Sequence, residues 1–338
     1  MIMIGGLATR PTPMNTTPTT EDRIWAVLAH LSALSFGMGI LLPVVGWSDQ
    51  RRKSNYASFQ CLQALGYQSV GFTIWVLSYL VIIILGSIFL LATLGPTPGS
   101  IQNASAVLGP GIILFLIIVF GGFALYLLLP FIAAVACALG RDFRYPIMGP
   151  RLVWYLEYDP AQKSEGQAWL HEDREFRWVA AMGHFSILIM LWGMLAPLTA
   201  WILQGKNSFF LKFQSIQTLV YQAATTILYF VGGFLYLLGI VLLFAIMGGI
   251  GAPDLNSSMG IGSIVVLGVL LLIAAVLILI VPLLHILGQW AGYRVLKGDD
   301  YRYPLVGGLV ERWMTRQNPL AGDGSSDLKE HHENINCH

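Results

Sequence analysis

The chain has 338 residues, of which 56% are hydrophobic and only 11% charged, less than half the roughly 25% charged residues of soluble domains. A net charge of +1 suggests neither nucleic acid nor a strongly acidic partner. The three scattered cysteines (Cys61, Cys137, Cys337) are not a disulfide framework.

Residues 1–20 form a polar Thr/Pro-rich tail without the short apolar core and cleavage site of a signal peptide. The tail is expected to be disordered, as is most of 311–338. Between them lie six blocks free of Asp, Glu, Lys and Arg: 24–47, 60–94, 109–139, 178–203, 214–248 and 262–293. Each exceeds the ~20 residues that cross a hydrocarbon core. The alternating segments of about ten residues that mark a β-barrel are absent. The pattern predicts an all-α polytopic membrane protein, with the lipid bilayer as its first partner.

The first block carries His30 and Ser32, then the breakers Gly37, Gly39 and Pro43. The second opens with "FQCLQALGYQ", in which Gln60, Gln63 and Tyr67 share one helical face and Gln68 stands at its edge. The third ends at "GRDFRYPIMG", where Arg144 and Tyr145 suit the headgroup layer and the proline stops the helix. The chain then repeats itself. Shifting by 154 residues aligns 21–68 with 175–222 without a gap and with 18 identities in 48 positions. His184 and Ser186 match His30 and Ser32, and Pro197 matches Pro43. "FQSIQTLVYQ" returns Gln214, Gln217, Tyr221 and Gln222, and "GDDYRYPLVG" returns Arg302 and Tyr303. Two homologous membrane units, 21–150 and 175–310, are therefore expected in tandem, joined by a cytoplasmic linker at 151–174.

"WAVLAHLS" (Trp25–Ser32), Pro43, Trp47, the Phe59-Gln60 pair and "GRDFRYP" together resemble the Tic-twenty-like family of bacterial membrane proteins. That family is related in pattern to a chloroplast inner-envelope import component. The resemblance covers both copies and implies a helical membrane fold, with little assigned function. The chain departs from the family pattern at Ser58 and Lys212, which stand where the family has Asn, and in its tandem fusion.

Charge bears on topology. All 19 Lys and Arg lie in the N-terminal tail, 48–58, 140–177, 204–212 and 294–338, and none in the loops 95–108 and 249–261. If every block crosses once, ten basic residues fall on one side and nine on the other. If 24–47 and 178–203 enter and return on the same side, all 19 share one side, as the positive-inside rule requires. The alternative is one kinked helix in each place. The hairpin reading places both termini in the cytoplasm of a cell that carries the chain in its inner membrane.

Each unit is thus expected to have a broken or re-entrant first segment and two long transmembrane helices. A buried amide without a partner costs ~1–3 kcal/mol, so the glutamine faces should turn from lipid towards the broken segment. They act either as internal glue or as a polar groove for a substrate segment. His30 and His184 offer a less favoured pair of axial ligands for a haem or chlorin; the simpler reading is a hydrogen-bonded His30–Ser32 pair near the basic side, and no cofactor is predicted. "LVWYL" (Leu152–Leu156) and "LVERWM" (Leu309–Met314) read as short amphipathic surface segments, either anchors or docking sites. The tail "HHENINCH" lacks metal-site spacing and no metal is predicted.

Catalytic motifs are absent: there is no P-loop, HExxH or GxSxG, and the apolar blocks hold no carboxylate or basic group for ion coupling. No enzyme is predicted. Two function classes follow. One is a non-catalytic scaffold, accessory subunit or assembly factor that packs against other membrane proteins. The other is a Tic-like conduit or translocation component lined by the glutamine faces.

Overall fold

The computed structural model describes residues 17–93, 100–159, 170–247 and 258–317, and the described residues contain helices, turns and connections but no strand. The expectations of disorder in both tails fall largely outside these residues. Helix α1 (Thr20–Leu31) opens on a capping box. Thr19 Oγ1 accepts the Asp22 N–H at 3.2 Å, and Asp22 Oδ2 accepts the Thr19 N–H at 2.8 Å. A 3₁₀ segment, Ser32–Ile40, follows, and α2 (Leu41–Gln50) runs back alongside α1. Gln50 Nε2 donates to Glu21 Oε1 at 3.0 Å, although the two residues are 29 positions apart. A straight helix would separate them by about 44 Å.

The second copy repeats the reversal with α6 (Glu172–Phe185), a 3₁₀ segment Ser186–Met194 and α7 (Leu195–Gln204). Ser186 Oγ donates to the Gly193 carbonyl, seven residues on, at 2.8 Å. By length and hydropathy alone 20–50 and 172–204 count among six segments able to cross a membrane. Their internal contacts show hairpins instead, each with both ends at one level.

From the sequence, Gly37, Gly39 and Pro43 in one copy and Gly193 and Pro197 in the other stand where each hairpin would turn, and the structure uses them differently. The reversals occur at Phe36 (φ 51°) and Met190 (φ 53°), not at glycine. Gly39 and Gly193 serve close approach, because a methyl group on either would overlap the carbonyl of Ser32 or Ser186. Pro43 and Pro197 sit in the first turn of α2 and α7, where the N–H has no helical partner to lose. Gly39→Ala should therefore force the limbs apart and cost about 1–3 kcal/mol. An unchanged melting temperature of the purified variant in detergent would contradict this.

Two long helices follow each hairpin: α3 (Asn55–Thr93) and α4 (Ser100–Ala138) in the first copy, and, after the short α5 (Met148–Leu156), α8 (Phe209–Met247) and α9 (Ser258–Leu296) in the second. The chain's described part closes with α10 (Val306–Gln317), so 311–317 is helix rather than tail. Residues 100–108 and 258–261 also belong to helices, which shortens the two uncharged loops; 94–99 and 248–257 lie outside the described residues. Pro130 interrupts the hydrogen-bond ladder of α4. The carbonyl this frees, that of Tyr126, accepts the Tyr67 hydroxyl from α3 at 2.9 Å.

The copies meet through α2 against α7, α3 against α6 and hairpin tip against hairpin tip. One continuous apolar core, including Trp47, Phe59, Leu62, Phe176, Val179 and Met182, runs through both copies. Trp178 Nε1 donates across the junction to the Leu62 carbonyl at 3.0 Å. At the basic end Arg51 reaches from the first copy into the second: it donates to Glu175 Oε2 at 3.3 Å, Glu172 Oε1 at 2.8 Å and Gln204 Oε1 at 3.0 Å. Its guanidinium also lies over the Phe176 ring at 4.3 Å. The position matching Arg51 in the second copy is Gly205, which offers no such reach. The junction is accordingly not two-fold: Ile24 and Leu28 are exposed, whereas their counterparts Trp178 and Met182 are buried.

Candidate functional site

Each copy encloses one buried set of amide, imidazole and phenol groups. In the first copy Gln60 and Gln63 project from α3 towards α1 and towards the return segment 142–145. Gln60 Nε2 donates to Asp142 Oδ1 at 2.9 Å and to the Phe143 carbonyl at 3.1 Å. Both partners are acceptors, so the amide orientation is fixed and Gln60 Oε1 faces His30 Nε2 at 3.0 Å. An amide oxygen only accepts. His30 therefore carries its proton on Nε2, and its Nδ1 accepts the Tyr145 hydroxyl at 3.0 Å. Gln63 closes the set: its Nε2 donates to the Phe143 carbonyl at 2.9 Å and its Oε1 accepts the Tyr145 N–H at 3.0 Å.

The second copy repeats this set. Gln214 Nε2 donates to Asp300 Oδ1 at 2.7 Å and to the Tyr301 carbonyl at 3.1 Å, while its Oε1 lies 3.1 Å from His184 Nε2. Tyr303 Oη stands 2.9 Å from His184 Nδ1, and Gln217 bridges the Tyr301 carbonyl and the Tyr303 N–H. Thr218 adds a hydroxyl beside His184 that the first copy lacks, where Ala64 stands.

Gln68 and Gln222 tie the long helices to the hairpin turns. Gln68 Nε2 donates to the Ala29 carbonyl at 3.2 Å and to Ser32 Oγ at 2.9 Å. Gln222 Nε2 donates to the Gly183 carbonyl at 2.8 Å and to Ser186 Oγ at 3.3 Å. Tyr67 and Tyr221 stack on Tyr145 and Tyr303 at ring separations of 4.2 and 3.8 Å.

Several placements differ from the sequence reading. Gln60 and Gln63, with Gln214 and Gln217, turn chiefly to the return segment and the histidine rather than to the hairpin's freed backbone. His30 and Ser32 do not bond to each other: Ser32 Oγ donates to the Ala29 carbonyl at 2.8 Å, while His30 serves the amide set. Both nitrogens of each imidazole are engaged by protein groups, so His30 and His184 do not offer the free nitrogen that haem or chlorin ligation needs. Tyr145 and Tyr303, read as headgroup anchors, are 2% exposed, because their hydroxyls complete the buried sets. Arg144 and Arg302 do remain at the surface, paired with Asp142 at 3.0 Å and with Glu311 at 2.6 Å. Burial raises the Asp142 carboxyl above its ordinary value, opposed by its bonds to Arg144 and Gln60.

Sequence reasoning missed Asp142, Asp300 and the two return-segment carbonyls. Their signal was the aspartate retained in both "GRDFRYP" and "GDDYRYP". Arg51 was missed because it has no counterpart in the second copy. Among the described residues no three His, Cys, Asp or Glu side chains gather as a metal site. A crevice of about 430 Å³ between α3 and α4 is lined by residues such as Tyr67, Trp75 and Tyr126 and contains none of the glutamines. The partners of Gln60, Gln63, Gln68, Gln214, Gln217 and Gln222 lie within their own copy.

Fold and site together define a class: a polytopic helical membrane protein made of two tandem units, each folding a hairpin and two long helices around a buried glutamine–histidine–tyrosine set. The chain belongs to the MamF/MmsF family, described as the magnetosome magnetite crystal formation protein family, whose pattern matches residues 21–153 and again 175–310. This match corrects the Tic-twenty-like resemblance and removes its support for a translocation conduit. Comparison with curated proteins and with solved structures gave no match.

Proposed function

We propose that the protein is a non-catalytic scaffold of the magnetosome membrane, an accessory or assembly component that acts in magnetite crystal formation by packing against other membrane proteins. The observation that carries this reading is that Gln60 and Gln63, and Gln214 and Gln217, find their hydrogen-bond partners within their own copy. The outer faces of the long helices are left apolar, with Ile117, Phe120, Phe234, Phe244, Leu279 and Leu283 all exposed. Such surfaces meet lipid or other helices through shape rather than through polar chemistry. Family membership supports the process and the compartment. Fused to a fluorescent protein, the chain should purify with magnetosome membranes, and its deletion should alter crystal size or number while vesicles persist. Unaltered crystals, with the fusion confined to the bulk inner membrane, would exclude the reading.

The basic end, with both termini, is assigned to the cytoplasm on the positive-inside rule. Cysteines introduced singly as Lys53→Cys and Lys206→Cys should react with impermeant maleimide from the cytoplasmic side only, and Asn103→Cys from the opposite side. Reaction of positions 53 and 206 from different sides would overturn the assignment.

A further inference from the structure

The two hairpins end where their neighbours continue. From Ile24 to the reversal at Phe36, and from Trp178 to Met190, the limbs span about 18 Å of helix. That is little more than half of a ~30 Å hydrocarbon core. Gln68 and Gln222 hold the hairpin limbs four residues short of the reversals, and at the first reversal Phe36 stacks on Phe123 of α4, which lies against Trp75 of α3. Beyond that level α3 and α8 run on to Thr93 and Met247. Burial follows the same division. In the most apolar stretch of each segment, 50% and 44% of hairpin residues are buried, against 6%, 0%, 11% and 17% in α3, α4, α8 and α9.

Near the basic end a section through the molecule therefore cuts α1, α2, α6 and α7 as well as the four long helices, and beyond the turns it cuts the long helices alone. Four extra helices, each about 10 Å across, amount to an excess on the order of 300 Å² in one leaflet. The short helices α5 and α10 broaden the same end, because they pack on α3 and α8 there. Around them Ile147, Trp154 and Leu305 are 72%, 80% and 91% exposed. Ile147 and Leu305 occupy equivalent positions and share left-handed backbone (φ 68° and 67°), which non-glycine residues adopt infrequently. Both copies thus use the same uncommon turn to hold an apolar side chain outward at the broad end. Amphipathic helices seated at a headgroup boundary respond to curvature.

We propose that the molecule is a wedge whose partner is a strongly curved lipid bilayer. It occupies more of the leaflet on its basic side than of the opposite leaflet, and so concentrates in, and stabilises, membrane that is convex towards that side. The proposal uses shape and charge alone and stands whether or not the scaffold reading does.

The test uses the full chain reconstituted into phosphatidylethanolamine–phosphatidylglycerol vesicles, prepared both as small sonicated and as large extruded populations. The protein-to-lipid ratio should be roughly threefold or more higher in the small vesicles. There most molecules should present position 53 of a Lys53→Cys variant to external maleimide. Equal density and mixed orientation in both populations would overturn the proposal. Spin labels at Leu34→Cys and Leu191→Cys, on exposed residues flanking the reversals, test the wedge separately. Each should be relaxed by oxygen and shielded from an aqueous nickel chelate on both sides. Ready access of the chelate from the non-basic side would mean that the hairpins span the bilayer, and the wedge would be lost.

Discussion

Arg51→Ala should loosen the two copies from each other and lower stability by about 3–5 kcal/mol, the cost of stranding one partner of a buried ion pair. The side chains of Arg51 and Glu175 are only 4% and 3% exposed. Without the guanidinium, Glu175 keeps a long contact from Ser58 Oγ, at 3.4 Å, and the neighbouring Trp47 indole. Gln204 still donates to Ser48 across the junction at 2.6 Å, so the copies remain in register while the basic end opens. The measurement is thermal unfolding in detergent combined with limited proteolysis between the copies. Adding Glu175→Gln to Arg51→Ala should recover part of the loss, because the uncompensated charge is gone. No recovery in the double variant would mean that lost packing of Arg51 on Phe176, rather than the charge, dominates.

Gln63→Leu combined with Gln217→Leu should cost roughly 2–6 kcal/mol, twice the ~1–3 kcal/mol of one orphaned buried group. In the first copy the substitution strands the Tyr145 N–H, for which Gln63 Oε1 is the acceptor, and in the second the Tyr303 N–H. The Phe143 and Tyr301 carbonyls keep one donor each, from Gln60 and Gln214, so the loss in each copy is confined to one stranded N–H, and a single change should cost about half as much as the pair. The readout is abundance of the folded protein in the membrane, followed by melting after purification. Normal abundance of the double variant would sink the view that these amides hold each copy together.

Much of the architecture was legible because lipid allows few ways to fold. Uninterrupted apolar blocks, the 154-residue repeat and the one-sided distribution of Lys and Arg fixed the class, the tandem units and a hairpin in preference to six simple crossings. The amide faces were legible too, since Gln60, Gln63 and Tyr67 fall on one side of any helix that contains them. The sequence by itself therefore determined the helical membrane class, the duplication and which polar residues must turn inward, because burial in lipid punishes any other arrangement. It did not determine what those residues meet. That Gln60 and Gln63 clasp a return segment 80 residues away, and that Tyr145 enters the core instead of resting among headgroups, depends on long-range contacts that helical periodicity does not encode. The reversals at Phe36 and Met190 were equally hidden, because the positive φ falls on non-glycine residues, while Gly39 and Gly193 serve the close approach of the limbs beside them. The junction was likewise decided only by the tertiary structure. Arg51 against Gly205 is one difference among many in an alignment of the copies, and it acquires meaning only when the end of α2 in one copy comes within reach of α6 in the other.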